Sequence, residues 1–504
     1  MRTKKAIKNI VFSALYQIVA IVCGLITPRL ILAAFGSTYN GVVSSATQFL
    51  SFISILTLGI AGATRLALYK TLASNDVIGT SRIMKANRRY MRKVALCIVA
   101  YAVILSFIYP YISHNDLTAY ESRLIILIVS IGTFADYFFG ISNTTLLSAD
   151  QSGYIGSIAS IIKTVVNTIV TAVLIKAGCS IFIVKLGSSI VFLIVPIIVS
   201  IIIKSKYHLI SNCDPDPHAL DGRKAVAFHS IANIIHEDTD LLVLTVFADA
   251  KIISVYTVYN LVVGKLKWIV SIFTNGMESA FGNMWVKGET EALNKNFNTF
   301  EFFLYSFTSV VFSCVWVLLI PFVEVYTKGI NDVNYVLPTL AILFTITEGF
   351  RVIRTPYLIL VQATGFYEET KIGAMLEAVI NLGSSIILVN FIGIYGVVIG
   401  TLIANVFRTV QYALFIYRNI IRRSLSVAIY RFIWLILTMT VIIFASKIAI
   451  SFITFCYTWT SWFFYACVTF FISLVITFAS AGIFYRADLS YLFYKAFSVI
   501  KKKK

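Results

Sequence analysis

The feature that most constrains this chain is a series of apolar runs along almost its whole length. Each run has roughly the 20 residues that an α-helix needs to cross the hydrocarbon core of a bilayer. We count fourteen runs, at residues 10–34, 42–68, 94–112, 123–147, 155–176, 180–203, 225–248, 253–274, 299–321, 338–360, 372–390, 394–416, 431–452 and 462–483. Fourteen spans leave little of the 504 residues for an extramembrane domain. The sequence therefore predicts an all-α polytopic membrane protein with about 14 transmembrane helices.

The composition excludes several other classes of protein. Hydrophobic residues make up 59% of the chain and charged residues 13%, whereas charged residues are about 25% of an ordinary soluble domain. A disordered chain, a secreted disulfide scaffold and a soluble enzyme with one anchor helix do not fit these values. The 7 cysteines contain no CxxC pair and lie mostly inside apolar runs. We interpret them as small packing residues, and we predict no metal site and no cofactor.

The basic residues indicate the orientation of the chain. The net charge of +19 could suggest a nucleic-acid partner, but most of the 42 Lys and Arg lie outside the apolar runs, in segments on one predicted side. The exceptions in segments on the other side are Arg123, Lys251, Lys328 and Lys447. The positive-inside rule then places both termini in the cytoplasm, so we expect no nucleic-acid partner. The lysines at the C-terminus are expected to touch anionic membrane lipids.

An internal repeat is visible in the sequence. Tyr39 and Gly59 recur as Tyr256 and Gly276, and Lys163 falls opposite Glu377 at a similar offset. Helices 1–6 would thus repeat as helices 7–12 in the same direction, although chance matching in an apolar chain is the alternative. Parallel repeats of this kind place a substrate site between the two halves. The predicted divisions are an N-terminal six-helix bundle (1–203), a cytoplasmic linker (204–224), a C-terminal six-helix bundle (225–416), helices 13 and 14 (417–484) and a basic cytoplasmic tail (485–504).

Several cations lie inside the apolar runs, where a charge costs roughly 2.5–3.5 kcal/mol and needs a reason. The clearest are Arg65, Lys163, Arg351, Arg354 and Arg408. Guanidinium and ammonium groups that face a common cavity would attract a phosphate or pyrophosphate, and the arginine fork suits such a ligand. We therefore predict that these residues bind substrate. The alternative for Arg351 is an ion pair with Glu348 that only stabilises its own helix, since the two are spaced i, i+3.

The acidic residues suggest a coupling ion. Helix 7 carries a dense set, Glu237, Asp238 and Asp240, and helix 11 carries Glu377 one turn before Asn381. Such carboxylates could carry a proton or a sodium ion for transport. Neutralisation of basic residues in the opposite half is the alternative. Because Lys163 falls opposite Glu377 in the repeat, the two halves are expected to differ in the sign of their charge at that position.

No sequence pattern indicates catalysis. There is no GxxxxGK[ST], GxSxG or HExxH motif and no large outer loop, so we predict that the chain is not an enzyme and not an ATPase subunit.

Short motifs along nearly the whole chain resemble those of one family of membrane proteins. They include Lys8-Asn9, Gln17, Pro28-Arg29, Gly36, Tyr39-Asn40-Gly41, Leu58-Gly59-Ile60, Arg65, Tyr69, Ser148-Ala149-Asp150-Gln151, Tyr154-Ile155, Asp240, Tyr256, Tyr259, Tyr326-Thr327, Asp332, Asn334, Tyr335, Glu377 and Asn381. In these residues the chain resembles the bacterial O-antigen, capsule and exopolysaccharide repeat-unit flippases. That family lies within the multidrug/oligosaccharidyl-lipid/polysaccharide exporter superfamily.

The resemblance implies a fold, a cargo and a location. The fold would be two six-helix bundles in a V with a final helix pair, and it would work by alternating access. The cargo would be an undecaprenyl-pyrophosphate-linked oligosaccharide, turned from the inner to the outer leaflet of the bacterial cell membrane. Arg29, Arg65 and Lys265 stand on the helices where basic residues would meet the pyrophosphate. A polysaccharide polymerase and a chain-length regulator are further expected partners, and a cation-coupled multidrug exporter of the same superfamily is the alternative function.

Overall fold

The computed structural model describes residues 2–57, 59–210, 212–220, 239–274, 276–453 and 455–501. Within these ranges the chain is built from helices, and its only extended pairing is an isolated bridge between His114 and Asp249. The predicted all-α fold class is therefore confirmed.

The helices of the first half begin with one long element. They are α1 (Arg2–Ser51), α2 (Ile60–Ala73), α3 (Val77–Ile112), α4 (Ala119–Ala135), α5 (Ile141–Ala149), α6 (Tyr154–Lys176), α7 (Ile181–Val191) and α8 (Ile194–Lys206). A 3-10 turn, Phe52–Thr57, follows α1, and a π-helical turn, Asp136–Gly140, joins α4 to α5. Residues 239–247 are helical and are labelled α9.

The remaining helices run to the end of the described chain. They are α10 (Ala250–Thr274), α11 (Met277–Val286), α12 (Thr290–Tyr326), α13 (Pro338–Thr364), α14 (Tyr367–Ile392), α15 (Ile394–Asn419), α16 (Ser426–Ser451), α17 (Trp459–Phe484) and α18 (Arg486–Lys501).

Among the described residues, 10 helical segments are long enough and apolar enough to cross a membrane. The chain is thus a multi-pass membrane protein. The first segment, Ile7–Thr57, contains the predicted run 10–34 and the start of 42–68. The predicted run 338–360 forms α13, which carries Glu348, Arg351 and Arg354 and is less apolar for that reason. Most of the predicted run 225–248 lies outside the described residues.

The order of helices repeats along the chain. Gly59 precedes α2 with φ 79°, and Gly276 precedes α11 with φ 90°, so a left-handed glycine starts the short helix in each copy. Helices α6 and α14 begin at equivalent tyrosines, Tyr154 and Tyr367. The segment Ile181–Lys206, which contains α7 and α8, and the single helix α15 both have 26 residues. This order agrees with the predicted duplication of helices 1–6 as helices 7–12, of which most of helix 7 lies outside the described residues.

The chain forms two compact units, Met1–Thr257 with Gly329–Val333 and Val258–Lys328 with Asn334–Lys504. The core of the first unit includes a cluster around Leu146 and Leu147 on α5. The core of the second unit includes a cluster around Phe302 on α12 and Trp434 on α16. The divisions predicted at 203, 224, 416 and 484 stay predictions.

Candidate functional site

The interior of the second unit holds one carboxylate between two arginines. Glu377 lies on α14, Arg354 on α13 and Arg408 on α15. Arg354 Nη1 donates a hydrogen bond to Glu377 Oε1, and Arg408 Nε lies 3.3 Å from Glu377 Oε2. All three residues are buried. We name these three residues the Glu377 cluster.

Small residues on α15 allow the close packing that positions this cluster. A Cβ at Gly396 would lie 2.4 Å from the backbone of Leu388, and a Cβ at Gly400 would lie 2.4 Å from Ser385 Oγ. Helices α14 and α15 therefore approach closely along the Gly396 face, as small residues permit in membrane helices. Arg408 lies two turns beyond Gly400 on that face, where it meets Glu377.

Protein acceptors surround the Arg408 guanidinium. Its Nη1 donates to the Thr370 carbonyl oxygen at 3.0 Å and to Gln411 Oε1, and its Nη2 donates to the Tyr412 hydroxyl at 2.6 Å. The guanidinium carbon also lies 3.9 Å from the centre of the Tyr412 ring. These contacts fix the side chain in the interior of the unit.

The Glu377 cluster has more positive than negative charge. Two guanidiniums contact a single carboxylate, and arginine stays charged at any ordinary pH. Charges attract one another more strongly in a protein interior than in water because the interior is less polarisable. A multivalent anion would be attracted to this position.

Arg351 forms the ion pair that the sequence offered as its alternative reading. Its Nη2 lies 3.2 Å from Glu348 Oε1, one turn earlier on α13. Both side chains are mostly buried, with exposures of 12% for Arg351 and 9% for Glu348. The substrate-binding role of Arg351 stays a prediction.

The other predicted cations are distributed over both units. Arg29 and Arg65 lie on α1 and α2, and Arg65 is exposed, with Nε donating to the Ala61 carbonyl oxygen at 3.3 Å. Lys163 on α6 has its ammonium 4.6 Å from the centre of the Phe192 ring. Lys265 lies partly buried on α10. No contact between these cations and the Glu377 cluster is observed among the described side chains, so their binding roles stay predictions.

Part of the predicted acidic set lies outside the described residues. This holds for Glu237 and Asp238. Asp240 is the second described residue of α9 and accepts a hydrogen bond of 2.7 Å from the Tyr256 hydroxyl. Glu377 has both carboxylate oxygens near guanidinium groups. Ion coupling by these carboxylates stays a prediction.

Each repeat contains an acidic and a basic residue that interact, but the order of acid and base along the chain is reversed. In the first unit, Asp136 follows α4 and interacts electrostatically with Lys163 on α6. In the second unit, Arg354 on α13 contacts Glu377 on α14. The equivalent residues Lys163 on α6 and Glu377 on α14 thus differ in the sign of their charge. This agrees with the expected difference in sign between the halves.

The sequence analysis missed a second buried charge cluster, which contains Glu301, Arg423, Arg431 and Asp488. Glu301 on α12 is fully buried and lies 2.7 Å from Arg423 Nη2. Arg431 Nη1 also contacts Glu301, and Arg431 Nη2 lies 3.0 Å from Asp488 Oδ2 on α18. We name these four residues the Glu301 cluster. The available signal was an acidic residue inside the predicted run 299–321.

One of the motifs behind the family resemblance holds helix ends together in the first unit. Asp150 lies 2.5 Å from Lys206 Nζ and 3.1 Å from Lys5 Nζ, and Tyr207 donates to it at 2.5 Å. Burial opposes ionisation of Asp150, but the hydrogen bonds from Lys206, Tyr207, Lys5 and Ser152 outweigh it and hold the pKa of Asp150 well below its usual value. This motif therefore joins the start of α1 to the end of α8.

Another motif residue caps a bend in α1. The Asp332 carboxylate accepts hydrogen bonds from the Ser37 backbone N–H at 2.7 Å and from the Ser37 hydroxyl at 2.6 Å. The bend is at Gly36, whose φ of 82° and ψ of −178° suit glycine alone. Asp332 thus satisfies an N–H donor that the bend leaves without a helical partner.

The described residues contain no group of three His, Cys, Asp or Glu side chains placed to hold a metal ion. The cysteines are all free thiols.

Three solved structures have a similar fold. The lipid II flippase MurJ in an inward closed conformation matches with a TM-score of 0.71 and 16% identity, over 95% of this chain and 99% of that one. An inward-facing multidrug resistance MATE family transporter of the MOP superfamily matches with a TM-score of 0.57 and 15% identity, over 79% and 95%. A eukaryotic MATE transporter matches with a TM-score of 0.59 and 13% identity, over 82% and 96%.

Neither a protein-family model nor a curated protein sequence matches the chain. At these identities the structural similarity shows the fold alone. That fold is shared by MurJ and the MATE proteins, which are a flippase and transporters rather than enzymes.

Proposed function

We propose that this protein is a flippase for undecaprenyl-pyrophosphate-linked oligosaccharides and moves them from the inner to the outer leaflet. The observation that carries the proposal is the excess positive charge of the Glu377 cluster. Arg354 and Arg408 present planar guanidinium forks, which bind phosphate oxygens in pairs. A lipid with a pyrophosphate head group supplies the matching multivalent anion.

Comparison with the Glu301 cluster supports this assignment. There, Arg423 and Arg431 are balanced by two carboxylates, Glu301 and Asp488. In the Glu377 cluster, two arginines share one carboxylate. A balanced cluster is suited to holding helices together, whereas an unbalanced cluster in the same unit is suited to a charged ligand.

The fold supports a lipid-linked cargo. The similarity to the lipid II flippase MurJ extends over nearly all of both chains, and the similarity to the MATE transporters covers less of this one. We further propose that the protein lies in the bacterial cell membrane with both termini in the cytoplasm, and works by alternating access driven by a proton or sodium gradient. Arg29, Arg65, Lys163, Lys265 and Arg351 are proposed to contact the cargo during the cycle.

The test is mass spectrometry of lipids extracted from cells depleted of this protein. We expect a complete undecaprenyl-pyrophosphate repeat unit to accumulate and to be protected from reagents that react only with the outer leaflet. The same spectrum would identify the sugars. If no such lipid accumulates while polymer still reaches the cell surface, the proposal is wrong.

Complementation of the depleted cells tests the residues. We expect the double variant Arg354→Gln, Arg408→Gln to leave the lipid accumulated, because the phosphate loses both guanidinium partners. A variant of an exposed cation, Lys204→Gln, is the control and should clear the lipid as wild type does. Equal clearance by the double variant would remove these arginines from the binding site.

A cation-coupled multidrug exporter is the second candidate, because the MATE transporters share the fold. A cavity for cationic drugs favours acidic residues, and the excess of arginine in the Glu377 cluster argues against it. Increased drug susceptibility of depleted cells, without lipid accumulation, would favour this candidate.

A further inference from the structure

We propose that Glu377 is a built-in anion, which the phosphate groups of the cargo displace from Arg354 and Arg408. By this competition Glu377 selects for the charge of the lipid head group. This inference rests on the proposed function and assigns to Glu377 a role in specificity.

The hydrogen bonds of Arg408 leave the Nε side of its guanidinium as the place where a phosphate can bind. A guanidinium has five N–H donors in a rigid fork. Nη1 donates to Thr370 and Gln411, Nη2 donates to Tyr412, and Nε faces Glu377 at 3.3 Å. A phosphate oxygen can therefore reach Nε only by taking the place of the Glu377 carboxylate, while the fifth donor, the second N–H of Nη2, takes part in none of these contacts.

Arg354 leads to the same conclusion from the opposite side of the carboxylate. Its Nη1 donates to Glu377 Oε1, while Arg408 Nε faces Oε2. One carboxylate thus bridges the two arginines, with one oxygen toward each. A pyrophosphate has phosphoryl oxygens on two phosphorus atoms and could bridge the same two guanidiniums.

Charge decides which anions win this competition. A singly charged anion has the same charge as the Glu377 carboxylate that it displaces. The two arginines therefore attract it no more strongly than they attract Glu377 in the protein without cargo. The displaced carboxylate also loses its partners, and an unpaired charge in a buried position is costly. A pyrophosphate has two or more negative charges, so the two guanidiniums attract it more strongly than they attract a singly charged anion. This attraction is strong because the protein interior is less polarisable than water, and it offsets the cost of displacing Glu377.

The experiment compares two lipids that differ in head-group charge. The full-length protein is purified into phosphatidylcholine nanodiscs, and its affinity is measured for undecaprenyl pyrophosphate and for undecaprenyl monophosphate at about pH 5, where the monophosphate carries about one negative charge. We expect wild type to prefer the pyrophosphate by about tenfold or more. In Glu377→Gln, which keeps the shape and removes the charge, the monophosphate should bind more tightly and the preference should fall to about threefold or less. Glu377→Asp keeps the charge and should keep a preference.

Glu301→Gln is the matched control. Glu301 is also a buried carboxylate in contact with two arginines of the same unit, but its cluster is balanced by Asp488. We expect this variant to lose stability and to keep the wild-type preference between the two lipids.

The outcomes separate this inference from the proposed function. If wild type binds neither lipid, the proposed function is wrong. If wild type prefers the pyrophosphate and Glu377→Gln has the same preference, only the role of Glu377 is wrong.

A second variant keeps the test decisive if Glu377→Gln does not fold. Arg354→Gln leaves Glu377 balanced by Arg408 alone, so pyrophosphate affinity should fall about tenfold while monophosphate affinity stays unchanged. An equal loss for both lipids would overturn the inference.

Discussion

At the scale of single residues, the buried charges differ in how far away their partners lie in the sequence. Arg351 meets Glu348 one helical turn away, and this pair was visible in the spacing. Arg354 and Arg408 meet Glu377, which lies on a different helix from either of them. Lys163 meets the face of Phe192 and interacts with Asp136. Each of these charges has a partner that lowers the cost of burial, as intramembrane charges generally require.

Asp150 gives a prediction on pH at this scale. The pKa of Asp150 is lowered in the folded protein by its hydrogen bonds, chiefly from Lys206 and Tyr207, against the opposing effect of burial. A carboxylate with a lowered pKa stabilises the fold above its ordinary pKa, and this contribution is lost as pH falls below that value. We expect Asp150→Asn to lower the free energy of unfolding by about 1.5–3 kcal/mol at pH 7. The difference from wild type should shrink below about pH 4.

The measurement is denaturant unfolding of the purified protein at pH 7 and at pH 3.5. Asp116→Asn is the control in the same unit, because the Asp116 carboxylate pairs with Lys251 at 3.2 Å but is 69% exposed. The free energy of unfolding of this control should differ little from that of wild type at either pH. A difference between Asp150→Asn and wild type that is equal at both pH values would contradict the explanation.

At the scale of elements, glycines decide where the long helices bend. Gly36 lets α1 change direction, and Gly59 and Gly276 start α2 and α11 in the left-handed region. Gly41 has another role, since a Cβ there would lie 1.8 Å from the Ala250 carbonyl oxygen at the start of α10. Three of these glycines also belong to the motifs of the family resemblance, and the structure gives them a role in backbone geometry.

Gly36→Ala is expected to destabilise the first unit through two effects. The backbone conformation at Gly36 costs about 1–3 kcal/mol for other residues. The added Cβ would also lie 3.0 Å from Asp332 Oδ2 and disturb the cap on Ser37. The control is Gly178→Ala, where φ is also positive but no atom lies within 4 Å of the added Cβ.

Thermal unfolding of these variants tests the cap. We expect Gly36→Ala to lose more stability than Gly178→Ala, and we expect the excess to shrink when Asp332 is alanine in both variants. If the excess is unchanged without the Asp332 carboxylate, the cap does not contribute to it.

The Glu301 cluster explains how the helices outside the repeat attach to the second unit. Arg431 lies on α16 and Asp488 on α18, and both connect to Glu301 on α12. In the first repeat, the corresponding place on α3 is held by Asn87, which accepts from Ser142 at 2.5 Å and donates to Thr64 at 2.6 Å. Asn87 is neutral and bonds to neighbouring helices of the first repeat. Glu301 is charged and binds Arg423 and Arg431, which lie outside the second repeat.

At the scale of the whole molecule, the duplication and the charge distribution together predict the topology. The two repeats have the same order of helices and, by prediction, start on the same side of the membrane. Most basic residues outside the apolar runs lie in segments assigned to one side. The positive-inside rule makes that side the cytoplasm.

Reporter fusions test this topology. Alkaline phosphatase fused after residue 115, between α3 and α4, should be active, because that segment is predicted outside. The same enzyme fused after residue 208 or at the C-terminus should be inactive, and green fluorescent protein should fluoresce at both of those positions. An active phosphatase at the C-terminus would contradict the orientation or the number of spans.

The sequence by itself determined the class of fold, the approximate position of most helices and the existence of the duplication. These follow from apolar run length and from spacing along one chain, which are local properties. It also identified Arg354, Arg408 and Glu377 as charges inside apolar runs, because such a charge is visible without knowledge of its surroundings.

Only the tertiary structure decided which charges meet. Arg354 and Glu377 are 23 positions apart, and Glu301 and Arg431 are 130 apart. Nothing in a local pattern distinguishes these partners from other residues of opposite charge. Their choice depends on which helix faces pack together, and for α14 and α15 this is set by the contacts at Gly396 and Gly400. The sequence thus supplied the charges, and packing determined that one cluster is balanced and the other keeps an excess of positive charge.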